Sequence, residues 1–176
     1  IYGCEDPAGE ETPPAQRSGD YLLNPFDWVI AEDGDDPFIQ QRPTTWDCSP
    51  SAHFTEQLGG VWVYSIETGE CDWLTITQPT AIPLTASDRV VMNVWYFELV
   101  APERATAHLG IATRDQILAQ AQEPIPHPAG RIELNFTVPE AMPAGTDMFF
   151  HLDNHGANSW HIVEVLVNPE MELDEP

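Results

Sequence analysis

The chain contains no lysine. Its six basic residues are all arginine (Arg17, Arg42, Arg89, Arg104, Arg114 and Arg131), set against 29 acidic ones, for a formal charge of −23 over 176 residues. A surface so poor in cations repels phosphate backbones and anionic headgroups, which argues against nucleic acid or a membrane surface as partner. It suits cations, basic partners or neutral ligands. Long apolar runs are missing as well: none approaches the ~20 residues that span a bilayer. There is no Gly-x-Ser-x-Gly elbow, no glycine-rich phosphate loop and no His-Glu-x-x-His, so no motif for nucleophilic, phosphoryl-transfer or metalloprotease chemistry is present. Ser159 and His161 are near neighbours, but no third member of a triad is identifiable. The chain is read as noncatalytic. With 17 prolines scattered throughout, long helices are excluded too, because proline removes a backbone donor and clashes with the preceding turn.

What is present is an aromatic-rich core. Apolar residues make up 42% of the chain, with six Trp and seven Phe, enough for one domain. Residues 1–19 are rich in Pro and acidic residues and read as a disordered-type tail or tether. Residues 20–57 are mixed, with the apolar island "YLLNPFDWVIA" and the acidic turn "EDGDDPF". From residue 58 to 168, short apolar stretches alternate with turn residues: "GGVWVYSI", "DWLTITQ", "DRVVMNVWYFELV", "ATAHLGIAT", "QILAQAQEPI", "RIELNFTV", "TDMFFHLDN" and "SWHIVEVLV". The stretch "RDQILAQAQE" has helix formers, but Pro124 and Pro126 end it and strands surround it, so it is assigned as a strand. Strands at this spacing predict an all-β fold, an antiparallel β-sandwich of jelly-roll type. The domain is placed at 20–168, with an acidic C-terminal tail at 169–176.

Three cysteines are present. Cys48 and Cys71 flank a stretch that reads as strand and turn, a geometry suited to one bridge worth about 3 kcal/mol, and disulfides belong to oxidising compartments. The alternative is two buried thiols. Cys4 is then the odd one. "IYGC" resembles the lipobox of bacterial lipoproteins, with Ile1 and Gly3 fitting and Tyr2 bulkier than usual, which implies lipidation at Cys4. The retained residues 1–3 fit instead an intermolecular bridge or a free thiol. The start at Ile1 rather than Met is taken as processing or trimming. Together these features predict a secreted or surface-tethered protein.

The closing pattern "AGTDMFFHLDNHGANSWHIVEVLV" resembles the end of galactose-binding-like carbohydrate-binding-module jelly rolls: a penultimate strand, a polar turn, then Trp-x-Ile-x-x-Val-x-Val, here Trp160, Ile162, Val165 and Val167. "TASDRVVMNVWYFELV" is similar to the first long core strand of that group. The resemblance spans residues 58–168 and implies the architecture; folds of this kind host glycan binders, enzyme domains and structural modules alike.

Within "MFFHLDNHGANSWHIVEV" lie three of the six histidines. On a strand His151 and Asp153 share one face, with Phe150 and Leu152 on the other. His155 falls in the turn. On the last strand Trp160, Ile162 and Glu164 share a face opposite His161, Val163 and Val165. Were the two strands a hairpin, His151 would approach the last strand, and His151, His155 and His161, joined by His108, would offer a copper or zinc site. His-x-Asp-x-His is not a diagnostic spacing, and a hydrogen-bonded packing role is the competing reading. Structural calcium is a further expectation, with "AEDGDDPF" supplying oxygens, against a solvated acidic turn. For a glycan, Tyr96, Asp153, Asn154, Asn158 and Trp160 are the candidate contacts, since sugars stack on aromatic faces while amides and carboxylates bind hydroxyls. By alternation Trp95 and Phe97 are placed in the core and Tyr96 on the concave face. Trp46 and Trp73 are expected to pack over the bridge, and the side taken by Trp62 is open. The reading is a noncatalytic binding module, with neutral glycan as first ligand. The alternatives are a copper- or zinc-binding protein and a structural subunit of an extracellular assembly that docks to another surface protein.

Overall fold

The computed structural model describes residues 20–169. The tail, Cys4 and all but the first residue of the C-terminal segment lie outside them. Eleven strands form two antiparallel sheets. Sheet I runs β3 (His53–Leu58), β4 (Val61–Glu67), β11 (Ser159–Val167), β6 (Arg89–Tyr96), β9 (Gly130–Thr137), with β1 (Asp20–Tyr21) also on β11. Sheet II runs β2 (Val29–Ile30), β5 (Trp73–Pro79), β10 (Asp147–Asp153), β7 (Ala105–Ala112), β8 (Ile117–Ile125). Only β3–β4 and β7–β8 are hairpins. The connections β4–β5, β5–β6, β6–β7, β8–β9, β9–β10 and β10–β11 all cross between sheets, which gives the expected jelly-roll sandwich.

Local chemistry explains the elements. Gly59 and Gly60, with φ of +59° and +89°, supply the two left-handed residues that a tight β3–β4 turn needs. Strand β9 alternates strictly: Ile132, Leu134 and Phe136 are buried and Arg131, Glu133, Asn135 and Thr137 exposed, the pattern of a strand with one wet face. The central strands are more apolar. The core lies between the sheets, with Val90, Met92, Val94 and Trp160 from sheet I against Leu109, Ile111, Phe150 and Leu152 from sheet II. Burying each such side chain stabilises by about 1.5–3 kcal/mol.

A second, smaller cluster sits on the outer side of sheet II: Ala31, Phe38, Trp73, Ala112 and Phe149. Residues 31–42 cross this face as a strap, ending in a single 3-10 turn at Ile39–Gln41. Phe38 is fully buried, and it lies so close to Gly110 that a Cβ there would sit 2.6 Å from its ring. Gly110 is therefore what lets the strap seat.

The Cys48–Cys71 disulfide forms, closing a separation of 23 residues. Trp73 is buried beside it, and the Cys71 sulfur lies 3.7 Å from the Trp73 carbonyl. Trp46, expected to pack there, is 44% exposed and carries the Arg42 guanidinium over its ring at 4.7 Å.

Candidate functional site

The histidines part company. Strands β10 and β11 do not pair: β10 lies between β5 and β7 in sheet II, β11 between β4 and β6 in sheet I. The hairpin that would have joined His151 to the last strand is thus replaced by a crossover between sheets. His151 is buried under the strap, stacked on Phe38 (4.5 Å, 16°), against Trp73 (4.2 Å), with Nδ1 3.0 Å from Thr75 Oγ1. Burial pushes its pKa down to about 3. His161 lies on the outer side of sheet I. His108 and His155 do gather with Asp153: His108 is its direct cross-strand partner on β7. Burial raises the Asp153 pKa, while the charges of His155 and His108 lower it and that of Asp72 raises it. Among the described residues no group of three or more His, Cys, Asp or Glu is arranged to hold a metal ion.

Two carboxylates of the acidic turn are held by the strap's own arginine. Arg42 binds Asp33 at 2.8 Å and approaches Asp36 at 3.6 Å, and Asp36 Oδ1 accepts the Phe38 amide at 2.8 Å. Carboxylates already held by a guanidinium and an amide are a poor donor set for calcium, which takes six to eight oxygens.

Three of the predicted glycan contacts are brought together, but inside the protein. Asn154, Asn158 and Trp160 are 0%, 3% and 0% exposed. Asn154 Nδ2 donates to Thr68 Oγ1 at 2.7 Å, and the Trp160 indole donates to Asn154 Oδ1 at 3.2 Å. Asn158 Oδ1 accepts the Val100 backbone amide at 2.6 Å, and the Asn158 backbone N–H donates to Thr68 Oγ1 at 3.0 Å. This knot ties the loops before β5, β7 and β11 into one end of the sandwich. Tyr96 is also buried, packed 4.9 Å from Trp160, with burial first and then the Glu123 charge raising its pKa to about 12.

The Trp95/Tyr96 assignment is therefore reversed: Tyr96 faces the core, and Trp95 and Phe97 are 41% and 57% exposed. A usable signal was present. Arg89 and Asn93 are the polar residues of "RVVMNVWYF", and Trp95 and Phe97 share their parity. On β11 a bulge between Ile162 and Glu164 shifts the alternation, so Glu164 leaves the side of Trp160 and Val165 turns inward.

The strap covers the outer face of sheet II over β5 and β10, leaving His108, Gln120 and Gln122 of β7 and β8 exposed beside it; the exposed aromatics Phe54 and Trp95 stand on the outer face of sheet I. Register aligns one row across it: Phe54, Ser65, His161, Trp95, Arg131. Directly opposed residues of antiparallel strands point to the same side, and Phe54 to Trp95 spans three strand spacings, about 14 Å. Phe54, Trp95 and Phe97 project, and small or flat side chains form the floor. Ser65 Oγ bonds Glu56 Oε1 at 2.6 Å and His161 Nδ1 at 2.8 Å. The edge of Phe97 meets the His161 ring at 5.1 Å. Polar groups flank the row: Ser159 Oγ donates to Glu67 at 2.7 Å, and Asn93 Nδ2 donates to Glu164 at 2.8 Å. Sequence reasoning missed Phe54, Glu56, Ser65 and Arg131, because only the pairing of distant strands puts them beside Trp95.

Hollows also lie elsewhere among the described residues. One, of about 600 Å³, is at the loop end and is lined by Asp47, Glu70, Asp72 and His155 among others. Another, of about 320 Å³, is a groove with Phe26, Trp28 and Trp62 in its wall, where Phe26 and Trp62 pack at 5.0 Å.

No protein-family model matches the chain, and no curated protein matches it. Solved structures do. A family 61 carbohydrate-binding module in complex with β-1,4-galactotriose is 8% identical, with 86% of this chain and 99% of that one covered and a TM-score of 0.46. A carbohydrate-binding module studied for specific mannan recognition is 9% identical, covering 80% and 96%, with a TM-score of 0.45. The xylan-binding domain of a xylanase from Paenibacillus barcinonensis is 16% identical, covering 89% and 100%, with a TM-score of 0.41. At such identities the likeness is one of fold.

Proposed function

We propose that the chain is a noncatalytic glycan-binding module, secreted or tethered at a cell surface, and that its sugar platform is the open face of sheet I. One observation carries this reading: Trp95, Phe97 and Phe54 stand exposed on a single sheet face over a hydrogen-bonded floor, while the strap covers the opposite face over β5 and β10. Aromatic rings left on a surface lose the benefit of burial, and sugar rings present the apolar faces that stack on them. Amide, hydroxyl and carboxylate groups of Asn93, Ser159, Glu67 and Glu164 border the platform, in reach of sugar hydroxyls. The carboxylates disfavour anionic glycans by like-charge repulsion, which supports a neutral ligand. The disulfide supports an oxidising compartment.

The test is affinity electrophoresis and calorimetry against soluble neutral polysaccharides: xylan, mannan, galactan and mixed-linkage glucan. Wild-type protein is expected to bind at least one, and Trp95→Ala to bind it at least tenfold more weakly with an unchanged melting temperature. Binding that survives Trp95→Ala moves the site off this face. No binding across the panel refutes the glycan reading.

A second reading, an assembly subunit, draws on the exposed apolar residues Phe26 (56%), Val29 (58%) and Ile30 (54%). Sedimentation velocity over a hundredfold concentration range tests it for self-assembly.

A further inference from the structure

His161 sits at the centre of the proposed platform, yet it is only 3% exposed, and its Nε2 is buried without a hydrogen-bond partner. A buried polar atom left unpaired costs about 1–3 kcal/mol and calls for an explanation. The neighbouring bonds say which kind of atom it is. Ser65 has one hydroxyl proton and two bonds to serve. The shorter runs to the Glu56 carboxylate at 2.6 Å, and a charged acceptor draws the proton more strongly than a neutral ring nitrogen. Glu56 itself lies 4.0 Å from His161 Nδ1, too far to accept from it directly. Ser65 therefore donates to Glu56 and accepts from His161. Nδ1 carries the ring proton, and Nε2 holds a free lone pair.

Phe97, whose ring edge meets the imidazole, is 57% exposed and directly follows the end of β6, where its amide makes a long 3.4 Å bond to the Ser159 carbonyl. Little holds it in place. We propose that His161 Nε2 is a hydrogen-bond acceptor for a sugar hydroxyl, reached when Phe97 turns aside and stacks on the bound ring. The inference rests on the glycan reading and deepens it: the ligand must present an O–H donor in line with Trp95, and a sugar lacking that hydroxyl is rejected. Ser65 and Glu56 are positioning residues that fix the tautomer. The groups facing the imidazole are Glu56 on β3, Ser65 and Glu67 on β4, and Trp95 and Phe97 on and after β6, with Arg131 next along the row. Burial lowers the His161 pKa, and Glu56 and Glu67 oppose that, so the lone pair is retained at neutral pH and lost on acidification.

The experiment is long-range ¹H–¹⁵N spectroscopy of histidine-labelled full chain, first alone and then with each oligosaccharide of the panel above. Alone at pH 7, the His161 ring, assigned from His161→Gln, is expected as the Nδ1–H tautomer. An Nε2–H tautomer overturns the inference whether or not any glycan binds. With a glycan whose affinity depends on Trp95, the Nε2 resonance is expected to move upfield as it accepts a hydrogen bond. His161→Phe is expected to weaken binding tenfold or more, with His161→Gln, which keeps an acceptor, losing less. Trp95-dependent binding that leaves Nε2 unmoved sinks this inference and spares the glycan reading. Absence of all binding sinks both, and the tautomer then shows only how Ser65 is satisfied.

Discussion

Replacing His151 by Gln should flatten the acid dependence of stability. His151 is 2% exposed, enclosed by Phe38, Trp73 and Thr75, and its pKa falls from 6.5 to about 3, through burial first and through the charges of His108 and Arg42, against a Leu74 backbone bond that raises it. The folded state resists protonation, while the unfolded chain takes up the proton near pH 6.5. Below that pH the unfolded state binds more protons, so stability declines as pH falls, until the folded form also titrates near its own value. At 1.36 kcal/mol per pH unit the whole window is worth about 4–5 kcal/mol, and the part between pH 7.5 and 4.5 about 2.5 kcal/mol. Urea unfolding followed by tryptophan fluorescence, run on wild type and His151→Gln across that range, isolates the effect, because the carboxylates titrate in both and cancel in the difference. The variant is expected to be less stable at pH 7.5 and to close the gap by about 2.5 kcal/mol at pH 4.5. Parallel curves would mean that His151 accepts a proton in the folded state, and the account of a sealed strap would fail.

Three further outcomes follow from the packing. Gly110→Ala should push Phe38 from its seat and cost about 1–3 kcal/mol by chemical denaturation, with quenching of Trp73 fluorescence altered. Cys48→Ala with Cys71→Ala should lower stability by about 3 kcal/mol, measured as a fall in the urea midpoint with unchanged slope. Asn154→Ala strips the Trp160 indole and Thr68 hydroxyl of a partner and should cost about 2–4 kcal/mol in urea denaturation by leaving buried groups unpaired; a neutral result would show that water replaces it.

The sheets were largely legible in the sequence because local chemistry marks strands: turn residues bound every long strand from β4 to β11, and the prolines after "QILAQAQE" correctly outweighed its helix formers. The bridge was legible from the strand-and-turn character between Cys48 and Cys71. Strand β3 was hidden in the mixed zone, since "HFTEQL" buries neither face fully. Which strands pair was not legible, and the platform depends on that: Phe54, Ser65, His161 and Trp95 come from four strands of which only β3 and β4 form a hairpin. The face of Trp95 was legible only through its shared parity with Arg89 and Asn93, since Val90, Val91 and Met92 make both faces of β6 apolar. Asn154 and Asn158 were expected as glycan contacts, but they are buried and their hydrogen-bonding capacity is spent on Thr68, Val100 and Trp160.

The strap has a consequence for valency. A sandwich with two open faces could bridge two ligand chains and cross-link them. With Phe38 and its neighbours covering sheet II over β5 and β10, the broad face with exposed aromatics among the described residues is that of sheet I, and under the proposed glycan reading each molecule is monovalent through its faces. Avidity on a polymeric ligand then has to come from several copies held near one another, each gaining from the high effective concentration set by its spacing.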